Sequence, residues 1–155
     1  MASQDKTYDV IGIGLGPSNL STSALMSKVP QIKSLFLEKR PDLKWHPNMM
    51  YDFSYINVGF QKDLVTLVDP TNPHSFMNYL VETGKQYMFF NSAFSQVPRL
   101  EFESYYRWSA NRMENVRFSS AVDSIGYDAE ADLFHIGVGE DTFSTKNIVS
   151  GTGIR

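Results

Sequence analysis

The sequence contains no cysteine, which excludes a disulfide framework, a thiolate metal site and a cysteine nucleophile, and agrees with a reducing cytoplasm. It has no excess of positive charge: 14 Lys and Arg stand against 17 Asp and Glu, giving a formal net charge of −3 and a pI near 5.5. With the cations scattered, nothing offers a basic field to nucleic acid or to an anionic membrane, so a small-molecule role fits better. No run approaches the roughly 20 apolar residues needed to span a bilayer, and the opening MASQDKTYDV lacks the basic and apolar regions of a signal peptide. These absences predict a cytosolic protein. Internal repeats and low-complexity tracts are missing too. What is present is core-forming material, 42% hydrophobic and 14% aromatic residues in a chain of 155, enough for one globular core.

After a polar start of six residues, Tyr8 to Ile13 reads as a short strand closed by glycines. Ser18 to Lys28 carries Leu20, Ala24 and Leu25 at helical spacing until Pro30 stops it, and Ser34 to Glu38 reads as a second apolar strand. This β-α-β unit predicts two parallel neighbouring strands. Residues 40–72 show no sustained period and are rich in aromatics, Met, Pro and Asn, which predicts a long ordered loop of the kind that serves a ligand or a lid. Pro73 to Thr83 reads as a helix with Asn72 as cap and Gly84 as stop, and Leu100 to Met113 as another bearing Tyr105, Trp108 and Met113. From Val116 three strand-like runs, VRFSSAVDSIGY, DLFHIGV and TFSTKNIVSGTG, predict a β-meander that returns to the main sheet. The chain stops two residues after Gly153, with no helix to cover its last strand.

The run Val10 to Asn19 stands where a dinucleotide fingerprint belongs, between the first strand and the first helix. Gly12 closes the strand and Gly14 permits the tight turn, Gly16 lets backbone approach a pyrophosphate, and the helix start at Pro17 and Ser18 offers free N–H groups and a positive dipole end. Asn19 replaces the third glycine of the motif. Glu38 ends the second strand where an acidic residue hydrogen-bonds ribose hydroxyls, with Lys39 beside it, and its charge disfavours the 2′-phosphate of NADP at this position. The fingerprint does not separate FAD from NAD. His46, His74 and His135 lack ligand spacing, so no metal site is expected.

Read together, GIGLGPSNL, FLEKRPDLKWHPNMM, KDLVTLVDPTNPHSFMNYLVETG, PRLEFESYYRWSA and the final GTG resemble, in order and spacing, the amino-terminal third of the flavin-dependent N-hydroxylating monooxygenases, the lysine N6- and ornithine N5-hydroxylases of siderophore biosynthesis. The likeness implies an α/β fold: a Rossmann-like FAD-binding domain of the two-dinucleotide-binding-domain type with a β-meander, ending before the NADPH domain. Along the chain it implies a nucleotide unit over 7–39, a flavin and substrate loop region over 40–72, a helical segment over 73–115, and a β-meander with return strand over 116–150. On this reading Gly151 to Gly153 is the crossing towards an NADPH domain that the 155 residues do not contain, and the chain alone is expected to be a poorly stable, inactive fragment.

The resemblance further implies FAD and NADPH as cofactors, with O₂ and a small primary amine as the other reactants, and leaves a homo-oligomer open for the intact family member. Trp45, His46 and Met49 match positions that lie against FAD, and Asn57 falls where the family has a glutamine near the flavin. Lys62 matches the lysine that meets the substrate carboxylate; Gln61 replaces an apolar residue. Arg99 matches a family arginine, and both cofactor contact and pairing with Glu101 or Glu103 stay open. Lysine is the expected substrate; ornithine, a diamine or histamine are alternatives. Two rival readings are a generic NAD-dependent dehydrogenase domain and a non-catalytic FAD-binding remnant.

Overall fold

The structure, a computed structural model, describes residues 7–92 and 96–153; the polar start of residues 1–6 and the final pair 154–155 lie outside the described residues. Two compact units emerge, Met1–Asp42 with Met113–Arg155, and Leu43–Arg112.

The first unit is built on one sheet. Strand β1 (Thr7–Ile13) leads through the glycine turn into helix α1 (Pro17–Met26) and back into β2 (Ser34–Leu37). The later strands are β3 (Val116–Arg117), β4 (Ser124–Asp128), β5 (Leu133–Val138) and β6 (Asp141–Ser150). Their order across the sheet is β3-β2-β1-β6-β5-β4. The first four run parallel, and β6, β5 and β4 form the antiparallel meander. β6 joins the two parts, because Asp141–Thr145 pairs with β5 while Ser144–Ser150 pairs with β1. This is an α/β Rossmann-like sheet with a meander attached.

Alternation along the strands sets the packing. Ile11, Leu35, Leu37, Ile136, Val138 and Phe143 form one buried cluster, and full burial of such a side chain contributes about 1.5–3 kcal/mol. Gly12 points the other way, and a Cβ there would run into the Phe36 ring. Gly12 is therefore glycine because Phe36 covers it. α1, which packs against β2, buries Asn19, Leu20, Ser23 and Ala24.

α1 ends at Met26, not Lys28, because Ser27 takes the cap, its Oγ donating to Ala24 O at 2.8 Å, and Val29 N turns back to Met26 O at 2.9 Å. VRFSSAVDSIGY is not one meander strand: Val116–Arg117 pairs parallel with β2, and the chain then bends at Ser119, whose φ is 52°. Ser119 N and Ser120 N donate to Arg40 O and Glu38 O, at 2.9 and 2.8 Å, which fixes that bend.

The second unit begins with a long stretch free of helix and ladder apart from an isolated bridge between Tyr55 and Pro98. It continues through α2 (Phe76–Glu82), α3 (Gln86–Asn91) and α4 (Arg99–Ala110). α2 is capped by Ser75, whose side chain accepts from Asn78 N, rather than by Asn72. Asn72 Oδ1 accepts from His74 N at 2.9 Å, closing a turn just before the helix. α3 has no periodic signal in the sequence, since only Phe89 of its six residues is buried. α4 stops at Ala110 with Asn111 as cap, so Met113 lies beyond it.

Aromatic rings fill this unit. Phe76 stands at the centre, with ring centroids of Phe102 and Tyr105 at 5.3 Å, Phe89 at 5.6 Å and Tyr79 at 5.8 Å. Such pairs add about 0.5–1.5 kcal/mol each beyond simple burial. Among the described residues no helix is long and apolar enough to cross a membrane.

Candidate functional site

In the first unit the functional geometry gathers at the carboxyl end of β1. Gly14 has φ of 83°, the left-handed region that only glycine enters freely, and a Cβ on it would lie 2.8 Å from Gly151 O. Gly16 is the extended N-cap of α1, and an added Cβ would meet nothing nearer than Gly151 O at 3.7 Å, so space opens beside it. Pro17 occupies the first helical position, where its missing N–H costs nothing. The helix has no side-chain cap and no acidic residue in its first turn, which leaves a positive backbone end unneutralised. Ser18 is exposed at that end.

Glu38 is only 7% exposed. Its Oε2 accepts from Leu15 N at 2.9 Å and its Oε1 from Arg40 N at 3.0 Å, so the carboxylate is fixed against the glycine turn. Each oxygen keeps lone-pair capacity for a further donor such as a ribose hydroxyl. Lys39 beside it is exposed. Free N–H groups for a diphosphate and a held carboxylate for a diol suit a dinucleotide. Two predicted residues sit behind this surface: Gly12 lies under Phe36, and Asn19 is 2% exposed with its amide turned to backbone carbonyls.

The second unit holds the loop candidates. Trp45 N donates to Glu103 Oε1 at 2.8 Å, and the indole rests against Tyr106 and Phe102, with centroids at 5.1 and 6.1 Å. The Arg99 guanidinium lies 4.7 Å from the centre of the Trp45 ring, a cation–π contact. Pairing of Arg99 with glutamate is not what the structure contains: Glu101 takes Lys85 at 2.7 Å, and Glu103 takes Trp45 N and Arg107. His46, next along, has φ of 45° although it precedes Pro47, and Asn48 has φ of 71°. Left-handed backbone at a non-glycine residue costs on the order of 1–3 kcal/mol and concentrates at ligand sites. Met49 N donates to His46 O at 3.0 Å and closes this turn, with Met49 60% exposed. His46 and Asn57 are exposed too.

Lys62 is exposed, and among the described residues no ion pair holds its ammonium. Its backbone is fixed by the residues that follow it, which the motif reading does not include. The Asp63 carboxylate accepts from Val65 N at 2.9 Å, Thr66 N at 2.7 Å, Thr66 Oγ1 at 2.7 Å and Phe76 N at 2.7 Å. Tyr105 OH accepts from Leu64 N at 3.2 Å and donates to His74 O at 2.7 Å. Burial pushes the Tyr105 phenol well above its ordinary range, so the proton needed for that bond stays in place. The D-x-x-T spacing of Asp63 and Thr66 was the signal for this bracket.

His74, whose Nδ1 lies 3.0 Å from Ser109 Oγ, carries a pH prediction. Burial first, and then the Arg112 cation, hold it below the ordinary value of 6.5. A histidine kept neutral in the fold contributes stability that is full above 6.5 and lost as pH falls below it, because the unfolded chain then binds the proton first. The melting temperature is expected to drop as pH falls below about 6.5, and His74→Gln to flatten part of that drop. An unchanged slope in the variant would contradict this.

Known proteins resemble this chain in sequence and in fold. A model of the family described as L-lysine 6-monooxygenase/L-ornithine 5-monooxygenase matches residues 6–155. The chain is 41% identical over 148 residues to the L-lysine N6-monooxygenase of Escherichia coli, covering 96% of this chain and 35% of that protein. It is 37% identical over 150 residues to a putrescine N-hydroxylase of Acinetobacter baumannii, covering 94% and 34%. The solved cadaverine monooxygenase of Erwinia amylovora, bound to FAD, superposes with a TM-score of 0.91 at 32% identity, over 96% of this chain and 36% of that one. The chain thus spans about a third of the length of the curated relatives it matches. With a Rossmann-like sheet, a glycine turn facing an uncapped helix and a family match across residues 6–155, this chain belongs to the L-lysine 6-monooxygenase/L-ornithine 5-monooxygenase family.

Proposed function

We propose that this chain supplies the FAD-binding part of an NADPH- and FAD-dependent monooxygenase that hydroxylates the side-chain amine of L-lysine in hydroxamate siderophore synthesis. The observation that carries the proposal is the pairing of the glycine turn with a fixed carboxylate: Gly14 at φ 83°, the uncapped start of α1, and Glu38 held by Leu15 N. Gly14, Gly16 and the N–H groups from Ser18 onward would hold the pyrophosphate, and Glu38 the adenosine ribose. Bound FAD supplies the electron transfer from NADPH and the activation of O₂.

The protein's own part is orientation, water exclusion and charge. The assignments of Trp45, His46, Met49 and Asn57 to the flavin, and of Lys62 to the substrate, rest on the family resemblance. The Trp45 indole, braced by Tyr106 and Phe102, suits a flat dry wall, and the strained His46 turn presents exposed groups at fixed positions. Lys62 offers a cation to the carboxylate of an amino-acid substrate. The reacting amine must be neutral to have a lone pair, and with a free-lysine pKa of about 10.4 the site must favour deprotonation or draw on a small neutral fraction.

The test is nucleotide choice. Titration of a family-length protein carrying this sequence is expected to show FAD binding, with the flavin absorbance retained through gel filtration. Tight binding of NAD with none of FAD would overturn the flavoprotein reading.

A further inference from the structure

Asn19 stands where the dinucleotide motif ordinarily has its third glycine, a position kept small so that helix and strand approach closely. Here the place is filled, and filled with a polar group. The side chain is 2% exposed, and its Nδ2 lies 2.8 Å from Gly14 O, 3.3 Å from Ile13 O and 3.4 Å from Val149 O. Those carbonyls come from the end of β1, the glycine turn and the end of β6, where the ladder between β1 and β6 runs out at Ile13 and Ser150. A buried carbonyl without a donor is costly, and the amide's two hydrogens serve Gly14 O at the shortest distance while also reaching Val149 O and Ile13 O, the latter already accepting from Gly151 N.

The same amide explains a glycine far along the chain. A Cβ on Gly151 would stand 2.5 Å from Asn19 Nδ2 and 2.7 Å from its Cγ, while a Cβ on Gly14 would stand 2.8 Å from Gly151 O. Gly151 N in turn donates to Ile13 O at 2.8 Å. Gly14, Asn19 and Gly151 interlock, each occupying the room that a larger neighbour would need. Gly151 has no left-handed φ, so only space forbids alanine there.

We propose that Asn19 is a positioning residue: its amide ties the glycine turn to the segment leaving β6, so that the pitch of Gly14–Gly16 beneath the pyrophosphate depends on Gly151. The inference rests on the reading that FAD binds at this turn. It does not require Asn19 to touch the cofactor.

The test is a double-mutant cycle in a family-length protein carrying this sequence, with the FAD dissociation constant and the apoprotein melting temperature both measured. Asn19→Ala is expected to weaken FAD by about tenfold, as loss of the buried bonds loosens the turn. Gly151→Ala is expected to weaken it at least as much. Asn19→Ala with Gly151→Ala is expected to match Asn19→Ala alone, because the smaller residue frees the space the new methyl needs. Asn19→Asp, with the same shape but carboxylate oxygens against carbonyl oxygens, is expected to be worse than Asn19→Ala. A wild-type protein without affinity for FAD would remove the flavin reading itself. If wild type binds FAD, an unchanged FAD constant in Asn19→Ala with only a lowered apoprotein melting temperature would make Asn19 merely structural and overturn this inference alone, as would strict additivity in the cycle. Should Gly151→Ala not fold, the Asn19→Ala and Asn19→Asp comparison decides on the same two readouts.

Discussion

Replacing Gly14 by valine is expected to leave the protein without flavin. The residue sits at φ of 83°, where a β-branched side chain is strained, and left-handed backbone alone costs an L-residue about 1–2 kcal/mol. The new Cβ would also press on Gly151 O at 2.8 Å and on Gly151 C at 3.1 Å, both backbone atoms with no rotamer to escape into. Gly151 cannot yield easily, since its N–H is held by Ile13 O. Relief must come from the turn itself, which moves the N–H groups at the start of α1. We expect the FAD dissociation constant to rise by more than about a hundredfold, the equivalent of some 2.7 kcal/mol. Gly84→Val is the matched control: it has a similar φ of 70° but nothing within 4 Å of the added Cβ, so it costs some stability and leaves FAD affinity alone. Equal effects from the two substitutions would show that strain, not the glycine turn, is being measured.

Lys62→Ala is expected to act on substrate binding. The ammonium is exposed and without an ion pair among the described residues, while the backbone that carries it is held by the Asp63 carboxylate and by Tyr105. A cation on a fixed loop is a ready partner for an amino-acid carboxylate, through a charge-assisted bond worth roughly 1.5–3 kcal/mol. KM for lysine should rise about tenfold to a hundredfold, with a smaller effect on the rate of flavin reduction. A diamine, which has no carboxylate, should respond little. An unchanged KM for lysine, or a wild-type preference for the diamine, would remove the amino-acid assignment and return Lys62 to an ordinary surface residue.

The parts legible in the sequence are those with strong local rules. β1, the glycine turn, α1 and β2 follow from a β-branched run, two glycines, a helical period and an apolar run, and the meander follows from turn residues between strands. The misses have physical causes. Two residues of β3 become a strand only because β2 lies alongside, a long-range fact. α3 is short and mostly exposed, and Ser75 outcompetes Asn72 as cap because Asn72 spends its side-chain oxygen on His74 N. At the candidate site, Gly14 and Glu38 were readable from motif and position. That Gly12 is covered by Phe36, that Asn19 faces three carbonyls, and that Arg99 lies on Trp45 rather than on a glutamate depend on neighbours distant in sequence.

Product formation distinguishes an N-hydroxylase from a flavoprotein that only consumes NADPH. A family-length protein carrying this sequence, supplied with FAD, NADPH, O₂ and L-lysine, is expected to form the N6-hydroxylated amino acid, detected by mass spectrometry, with NADPH oxidation that depends on both flavin and amine. NADPH consumption that never yields a hydroxylated amine, whether from lysine, ornithine or a diamine, would contradict the account.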